Sequence, residues 1–248
     1  VSLTADLDGV VAVVTGASSG IGRHMCSVLT RNGARVVAAA RRADRLAELA
    51  EADDRITAQV CDVTDADDCT RLIEAAQDLG GPHVVVNAAG FGDARPALET
   101  SVEDFRRTLD VDLTATFQVS TLAARAMPDG GSIINIASIL GLVGSWPVTQ
   151  AAYCAAKGGV VNLTRQLGAE WAGIGIRVNA IAPGWFPSEQ TDQMFDDERS
   201  MTWIKRNTPA GRPGRLDELD GLLLLLASPA SSYLTGQVIA VDGGWTAR

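Results

Sequence analysis

Val10-Val11-Ala12-Val13-Val14-Thr15-Gly16-Ala17-Ser18-Ser19-Gly20-Ile21-Gly22 is the stretch on which the fold turns. Its first residues form a continuous apolar, β-branched run, the pattern of a strand buried on both faces. A glycine-rich turn follows, and residues 20–32 then read as a helix with Gly33 as its stop. Gly16 suits a tight turn, Gly20 lets a pyrophosphate approach the backbone, and Gly22 lets the helix pack close to the sheet. A helix N-terminus placed there offers free N–H groups and a partial positive charge to phosphates. Taken alone, a glycine cluster is only a strand–helix turn. Directly after a first strand, at the start of an alternating chain, it reads as a phosphate cradle.

Working outward, short β-rich runs alternate with helical patterns. Strands are expected at residues 35–40, 56–60, 84–87, 132–137, 176–181 and 237–241. Helices are expected at 65–79, at 101–127 with Ser101 as cap, and at 150–172. This alternation predicts an α/β fold: a doubly wound parallel sheet of about seven strands with helices on both faces. Ligands of such sheets bind outside the carboxyl ends of the strands. We expect one domain over 1–248. Residues 184–215 break the alternation, combining Pro187, Pro209 and Pro213 with Trp185, Phe186, Met194, Phe195 and Trp203. They are expected to form a substrate-covering insertion, the alternative being a surface helix pair packed on the core.

The 248 residues carry a net charge of -9. That field argues against nucleic acid or an anionic membrane as partner. Cys26, Cys61, Cys69 and Cys154 show no CxxC spacing and suit reduced thiols in a cytoplasmic protein. No signal peptide or spanning helix is expected, the apolar run at 222–227 being too short. His24 and His83 lie in no metal-ligand spacing, so neither a metal site nor a Ser-His-Asp triad is expected.

Tyr153 and Lys157 stand at i and i+4 on a predicted helix and share a face. A free phenol, with a pKa near ~10, is a poor base at neutral pH. A neighbouring ammonium stabilises the phenolate, so the group can exchange a proton with an alcohol or a carbonyl oxygen. Ser138, at the end of a strand, can donate to that oxygen. An isolated YxxxK pair is usually an exposed helical pair, but here it stands beside the cradle and Ser138.

The glycine spacing is TGxxxGxG. With Asn87-Ala88-Ala89-Gly90, Ser138, Tyr153-Cys154-Ala155-Ala156-Lys157 and Asn179-Ala180-Ile181-Ala182-Pro183-Gly184, the chain resembles the short-chain dehydrogenase/reductase family from about Leu7 to Trp245. The resemblance implies a Rossmann-type fold and hydride transfer between NAD(P) and a secondary alcohol or ketone. It makes Ser138, Tyr153 and Lys157 catalytic, with Lys157 also bonding the nicotinamide ribose. It assigns cofactor contacts to Gly16, Ser18, Ser19, Gly20, Ile21 and Gly22, to Asp62 and Val63 after the third strand, and to Asn87, Ala88, Ala89 and Gly90. Pro183, Gly184, Phe186 and Ser188 would meet the nicotinamide, Phe186 and Ser188 standing where the family more often has isoleucine and threonine. The second strand ends Ala40-Arg41-Arg42 instead of in an acid, so Arg41 can answer a 2′-phosphate and NADP is favoured over NAD. The alternative is that both arginines are solvated charges.

Two departures from the family pattern stand out. The Ser138-to-Tyr153 interval is longer than usual and carries Trp146 and Pro147. The family's fourth catalytic residue, an asparagine in a stretch like V-N-L, is replaced in Val111-Asp112-Leu113. Asp112 can hold the same proton-relay water. If ionised, it offsets part of the effect of Lys157 on Tyr153; if buried and protonated, it behaves like asparagine.

The expected pocket lining is Phe91, Ile139, Leu140 and Trp146, with Trp185, Met194 and Trp203 from the insertion. It favours a neutral ketone, a keto-sugar or a 3-oxoacyl thioester. The family resemblance implies a homotetramer or homodimer, for which Leu163, Leu167 and Trp171 could supply apolar surface if the core does not use them. Two rival readings remain. Asp112 is compatible with a non-catalytic dinucleotide-sensing protein, and Arg95, Arg106 and Arg107 could form a basic patch for an acyl carrier protein.

Overall fold

β1 (Val11–Thr15) is buried along its whole length, and its side chains alternate between two cores. Ala12 and Val14 pack on one face of the sheet, Val11 and Val13 on the other. A strand sandwiched in this way has no polar face, which is why its sequence is a continuous apolar run. In the computed structural model, which describes residues 4–92 and 94–247, β1 sits near the middle of one parallel sheet. The two ends of the expected 1–248 span, and residue 93, lie outside the described residues.

Along the chain follow α1 (Gly20–Arg31), β2 (Arg35–Ala40), α2 (Ala43–Ala52), β3 (Ile56–Val60), α3 (Ala66–Gln77) and β4 (Val84–Asn87). Then come α4 (Val102–Leu109), α5 (Ala115–Arg125), β5 (Gly131–Ile136), α6 (Ala151–Trp171) and β6 (Ile176–Pro183). The insertion supplies α7 (Asp192–Asp196) and α8 (Glu198–Asn207), before α9 (Asp220–Ala227) and β7 (Val238–Val241). The strand order is β3-β2-β1-β4-β5-β6-β7, all parallel. The chain winds outward in one direction from β1 to β3 and in the other from β4 to β7. The reversal between β1 and β4 opens a crevice at their carboxyl ends, where Thr15 pairs with Asn87. Helices α1 and α9 cover one face, α3, α5 and α6 the other.

The sequence predicts one helix over residues 101–127. Ser101 caps it as expected, accepting from the Asp104 N–H at 3.0 Å. The helix is interrupted, however: residues Asp110–Thr114 form a π turn between α4 and α5. Such a widened turn has no marker residue in the sequence, and it often accompanies a functional site. Leu167 is buried in the core, with Leu163 and Trp171 packed against it, so the apolar side of α6 is used internally. Among the described residues no helix is long and apolar enough to cross a membrane.

Candidate functional site

The crevice at the sheet reversal is the mouth of a cleft of about 800 Å³. Its floor at one end is the β1–α1 turn. Gly16 has φ 67°, and a Cβ there would stand 2.6 Å from the Ala88 carbonyl oxygen. A Cβ on Gly22 would stand 2.4 Å from the Gly16 carbonyl oxygen, so the helix starts as close to the turn as glycine permits. Ser19 caps α1 without a side-chain bond to the first-turn N–H groups. Those groups suit an anion. Thr15 Oγ1 accepts from the Ala88 and Ala89 N–H groups at 3.1 and 3.2 Å, tying the turn to the segment after β4.

Gly16, Ser18, Ser19, Gly20, Ile21, Gly22, Arg41, Asp62 and Val63 all line the cleft, as do Ala88, Ala89, Gly90, Pro183, Gly184, Phe186 and Ser188. Asn87 does not. Its side chain is buried, with Nδ2 donating to Ser120 Oγ and Asn135 Oδ1, both at 2.9 Å. Asn135 in turn donates to Thr164 Oγ1 at 3.0 Å. Asn87 thus ties β4 to α5 and β5, and through Asn135 to α6, with its side chain turned into the interior. Asp62 is engaged locally, accepting from the Thr64 N–H and hydroxyl, and these bonds hold its carboxyl below the usual range. Of the two arginines after β2, it is Arg42, more than Arg41, that is held at the cradle. Its guanidinium donates to Ser18 and Ser19.

At the other end of the cleft, Ser138, Tyr153 and Lys157 line the wall together. Ser138 follows β5, and its Oγ accepts from the Leu140 N–H at 3.1 Å. The Lys157 ammonium lies 5.6 Å from the Tyr153 ring centroid. It donates to the Ile136 carbonyl oxygen at 3.0 Å and stands 3.2 Å from Asp112 Oδ1. Asp112, placed by the π turn, is completely buried, and its Oδ2 accepts from the Phe91 N–H at 3.2 Å. A Cβ at Gly90 would meet Asp112 Oδ1 at 2.5 Å and Lys157 Nζ at 3.2 Å, so the segment after β4 lies directly on the ion pair. A phosphate-cradling turn and a lysine-backed phenol thus open into one cleft, a donor set that fits a dinucleotide.

Comparison with known proteins agrees. The family described as enoyl-(acyl carrier protein) reductase matches residues 16–246. A galactitol 2-dehydrogenase (L-tagatose-forming) from Cereibacter sphaeroides is 41% identical, over 97% of this chain and 96% of that protein. The crystal structure of a short-chain type dehydrogenase/reductase from Mycobacterium marinum is 38% identical, with a TM-score of 0.91 over 98% of both chains. The chain belongs to the short-chain dehydrogenase/reductase family. A gluconate 5-dehydrogenase from Burkholderia cenocepacia, crystallised with NADP and tartrate, superposes with a TM-score of 0.93 at 34% identity, over 98% of this chain and 97% of that one.

The electrostatics of this short-chain dehydrogenase/reductase are set by a buried charge pair. Burial pushes the Asp112 carboxyl up, against the pull of Lys157 and the Phe91 N–H. Burial draws the Lys157 ammonium down, but Asp112 and Tyr153 outweigh it, and its pKa lies above the ordinary lysine value. Tyr153 lies above an ordinary phenol. Burial raises it most, Lys157 lowers it, Asp112 raises it again, and Ser138 lowers it through a hydrogen bond. At an effective dielectric of ~20, unit charges about 4 Å apart attract by roughly 4 kcal/mol. Each ion loses several kcal/mol on burial, so the pair is tolerable only as a pair.

The expected pocket lining needs two corrections. Trp146 is 79% exposed and does not line the cleft. Trp203 packs edge-on to Trp185, with centroids 5.6 Å apart, in an aromatic cluster with Trp245. Phe91, Ile139, Leu140, Trp185 and Met194 do line it. The sequence reading missed Gln150, Gln190, Gln193 and Thr191, polar residues that also line the cleft. Single glutamines in a loop and at a helix start carry no pattern by which to find them.

Proposed function

We propose that this oxidoreductase interconverts a secondary hydroxyl of a neutral polyol and the corresponding keto-sugar, with NADP favoured and NAD as the alternative. The observation that carries it is the Tyr153–Lys157 pair set in an amide-lined pocket continuous with the phosphate cradle. Gln150, Gln190 and Gln193 offer both donors and acceptors, which suits several hydroxyl groups. Among the described lining residues the cations are Arg41, Arg42 and Lys157. The first two stand at the cradle end and the third faces Asp112, so a substrate carboxylate finds no unmatched cation beside Tyr153. The similarity to galactitol 2-dehydrogenase supports the same reading. Against an acyl-carrier partner, Arg95 and Arg107 both face Asp104, at 2.7 and 3.9 Å.

The bound dinucleotide supplies the hydride acceptor. Ser138 Oγ holds the substrate oxygen, and Tyr153 takes the hydroxyl proton. Lys157 stabilises the phenolate that does so. Asp112, facing Lys157, opposes that stabilisation and positions the ammonium. Residues 184–215 cover the substrate, with Trp185 and Phe186 buried at the cleft and Met194 also lining it. Assembly as a homodimer or homotetramer would cover the exposed Val102, Phe117 and Tyr233.

Neutral polyols and ketoses, sugar acids, and 3-oxoacyl thioesters, each assayed with NAD and NADP, test this reading. The highest kcat/KM is expected for a neutral polyol–ketose pair with NADP. Turnover confined to acids or thioesters refutes the substrate class, and binding of dinucleotide without any turnover favours a sensing protein.

The carboxylate at residue 112 has its own signature. In Asp112→Asn, a negative charge that raises Tyr153 is gone, so the base form persists to lower pH. The acid limb of the oxidation profile should move down by about one pH unit. Superimposable wild-type and variant profiles would show that Asp112 does not tune Tyr153.

A further inference from the structure

Arg42 and Glu189 form a bridge over the cradle end of the cleft. The Arg42 guanidinium donates from Nε (3.2 Å) and Nη2 (2.9 Å) to Ser18 Oγ, and from Nη2 (2.8 Å) to Ser19 Oγ. Its remaining nitrogen, Nη1, donates to Glu189 Oε1 at 2.9 Å. Ser19 Oγ donates to Glu189 Oε2 at 3.0 Å, closing a ring. Glu189 belongs to the loop after β6. The next residue, Gln190, donates from Nε2 to the Gly90 carbonyl oxygen at 3.0 Å. Consecutive residues thus fasten this loop to both walls of the cleft.

Stability does not explain the bridge. The Arg42 and Glu189 side chains are 43% and 49% exposed, and an ion pair so placed adds little to folding. Its position is more telling. Every nitrogen of the arginine is engaged, and the partners are the two serines of the phosphate turn and one carboxylate. A guanidinium fork receives a carboxylate and a phosphate in the same bidentate manner. The carboxylate is carried on a loop, not built into the sheet, so it can be displaced.

We propose that Glu189 is an internal competitor for the cofactor's 2′-phosphate: it occupies Arg42 until a 2′-phosphorylated dinucleotide takes its place, and so sets how strongly NADP is preferred over NAD. An unphosphorylated ribose brings nothing that competes for Arg42, and the bridge persists. The effect of Glu189 is therefore specific to the phosphate and passes through Arg42. This rests on the dinucleotide reading but not on the substrate or on turnover.

Calorimetric titration of the protein with adenosine 2′,5′-bisphosphate and with adenosine 5′-monophosphate separates this from simple charge repulsion. Neither probe contains nicotinamide, so the result is independent of catalysis. Glu189→Gln should bind the bisphosphate about tenfold more tightly, the effect of weakening one charge-assisted contact that competes, with the monophosphate changed by less than about twofold. Arg42→Ala should abolish the preference for the bisphosphate. In the double variant, Glu189→Gln should have no further effect, the signature of coupling between the two residues. Equal tightening of both probes, a gain that survives in the Arg42→Ala background, or unchanged or weaker bisphosphate binding in Glu189→Gln would each overturn the proposal.

Discussion

In Tyr153→Phe, turnover should fall by about 10³-fold in both directions, the range that a positioned proton-transfer group contributes. The proposed proton transfer requires the phenol hydroxyl, and the aromatic ring is retained, so melting temperature and dinucleotide binding should remain close to wild type. The pattern to look for is therefore a loss confined to kcat, measured with saturating dinucleotide and substrate. A variant that keeps even a tenth of wild-type turnover would remove Tyr153 from the chemistry, whatever its neighbours suggest.

Lys157→Met should show the largest loss of stability, about 3–5 kcal/mol, because it leaves Asp112 buried without a counter-charge. The sign of the pH dependence follows from the carboxyl. Burial already raises Asp112 with the ammonium present, and removing Lys157 takes away the largest opposing pull. A group whose folded pKa lies above its unfolded value contributes stability below the unfolded pKa, near ~3.9 for aspartate, and loses it as pH rises through the folded pKa. The variant should consequently be closest to wild type in acid and fall away towards neutral pH. Combining Lys157→Met with Asp112→Asn should recover much of the loss, since the uncompensated charge is then gone. Urea unfolding at several pH values reads all of this. Additive effects of the two substitutions would mean that the residues do not act as a pair.

Much of the fold was legible because its signals are local. Continuous apolar runs such as residues 84–86 mark strands covered on both sides, and Ser101 marks a helix start. The glycine turn was legible too, since Gly22 is required by a close backbone approach to Gly16 within the same turn, although the approach that requires Gly16 is to Ala88 on the segment after β4. What escaped was produced by contacts between distant segments. Asn87 reads as a ligand contact in sequence, yet Ser120 and Asn135 draw its carboxamide into the interior. The π turn at Asp110–Thr114, in which Asp112 is buried, has no marker residue within 101–127. Arg42 and Glu189 meet only because the loop after β6 folds back over the first turn. Trp146 and Trp203 show that an aromatic near a site in sequence can equally face solvent or a neighbouring tryptophan.

Burial raises Tyr153 most, and the opposed charges of Lys157 and Asp112 then tune its ionisation, which can be observed directly. The chain has two tyrosines, and Tyr233 is fully exposed. In a Tyr233→Phe background, the tyrosinate absorbance as a function of pH reports Tyr153 alone. Its midpoint should lie above that of an ordinary phenol, and adding Asp112→Asn should move it down by about one pH unit. Coincident titrations with and without the Asp112 carboxylate, or a midpoint already below the ordinary value in the cofactor-free protein, would show that burial and this carboxylate do not govern Tyr153.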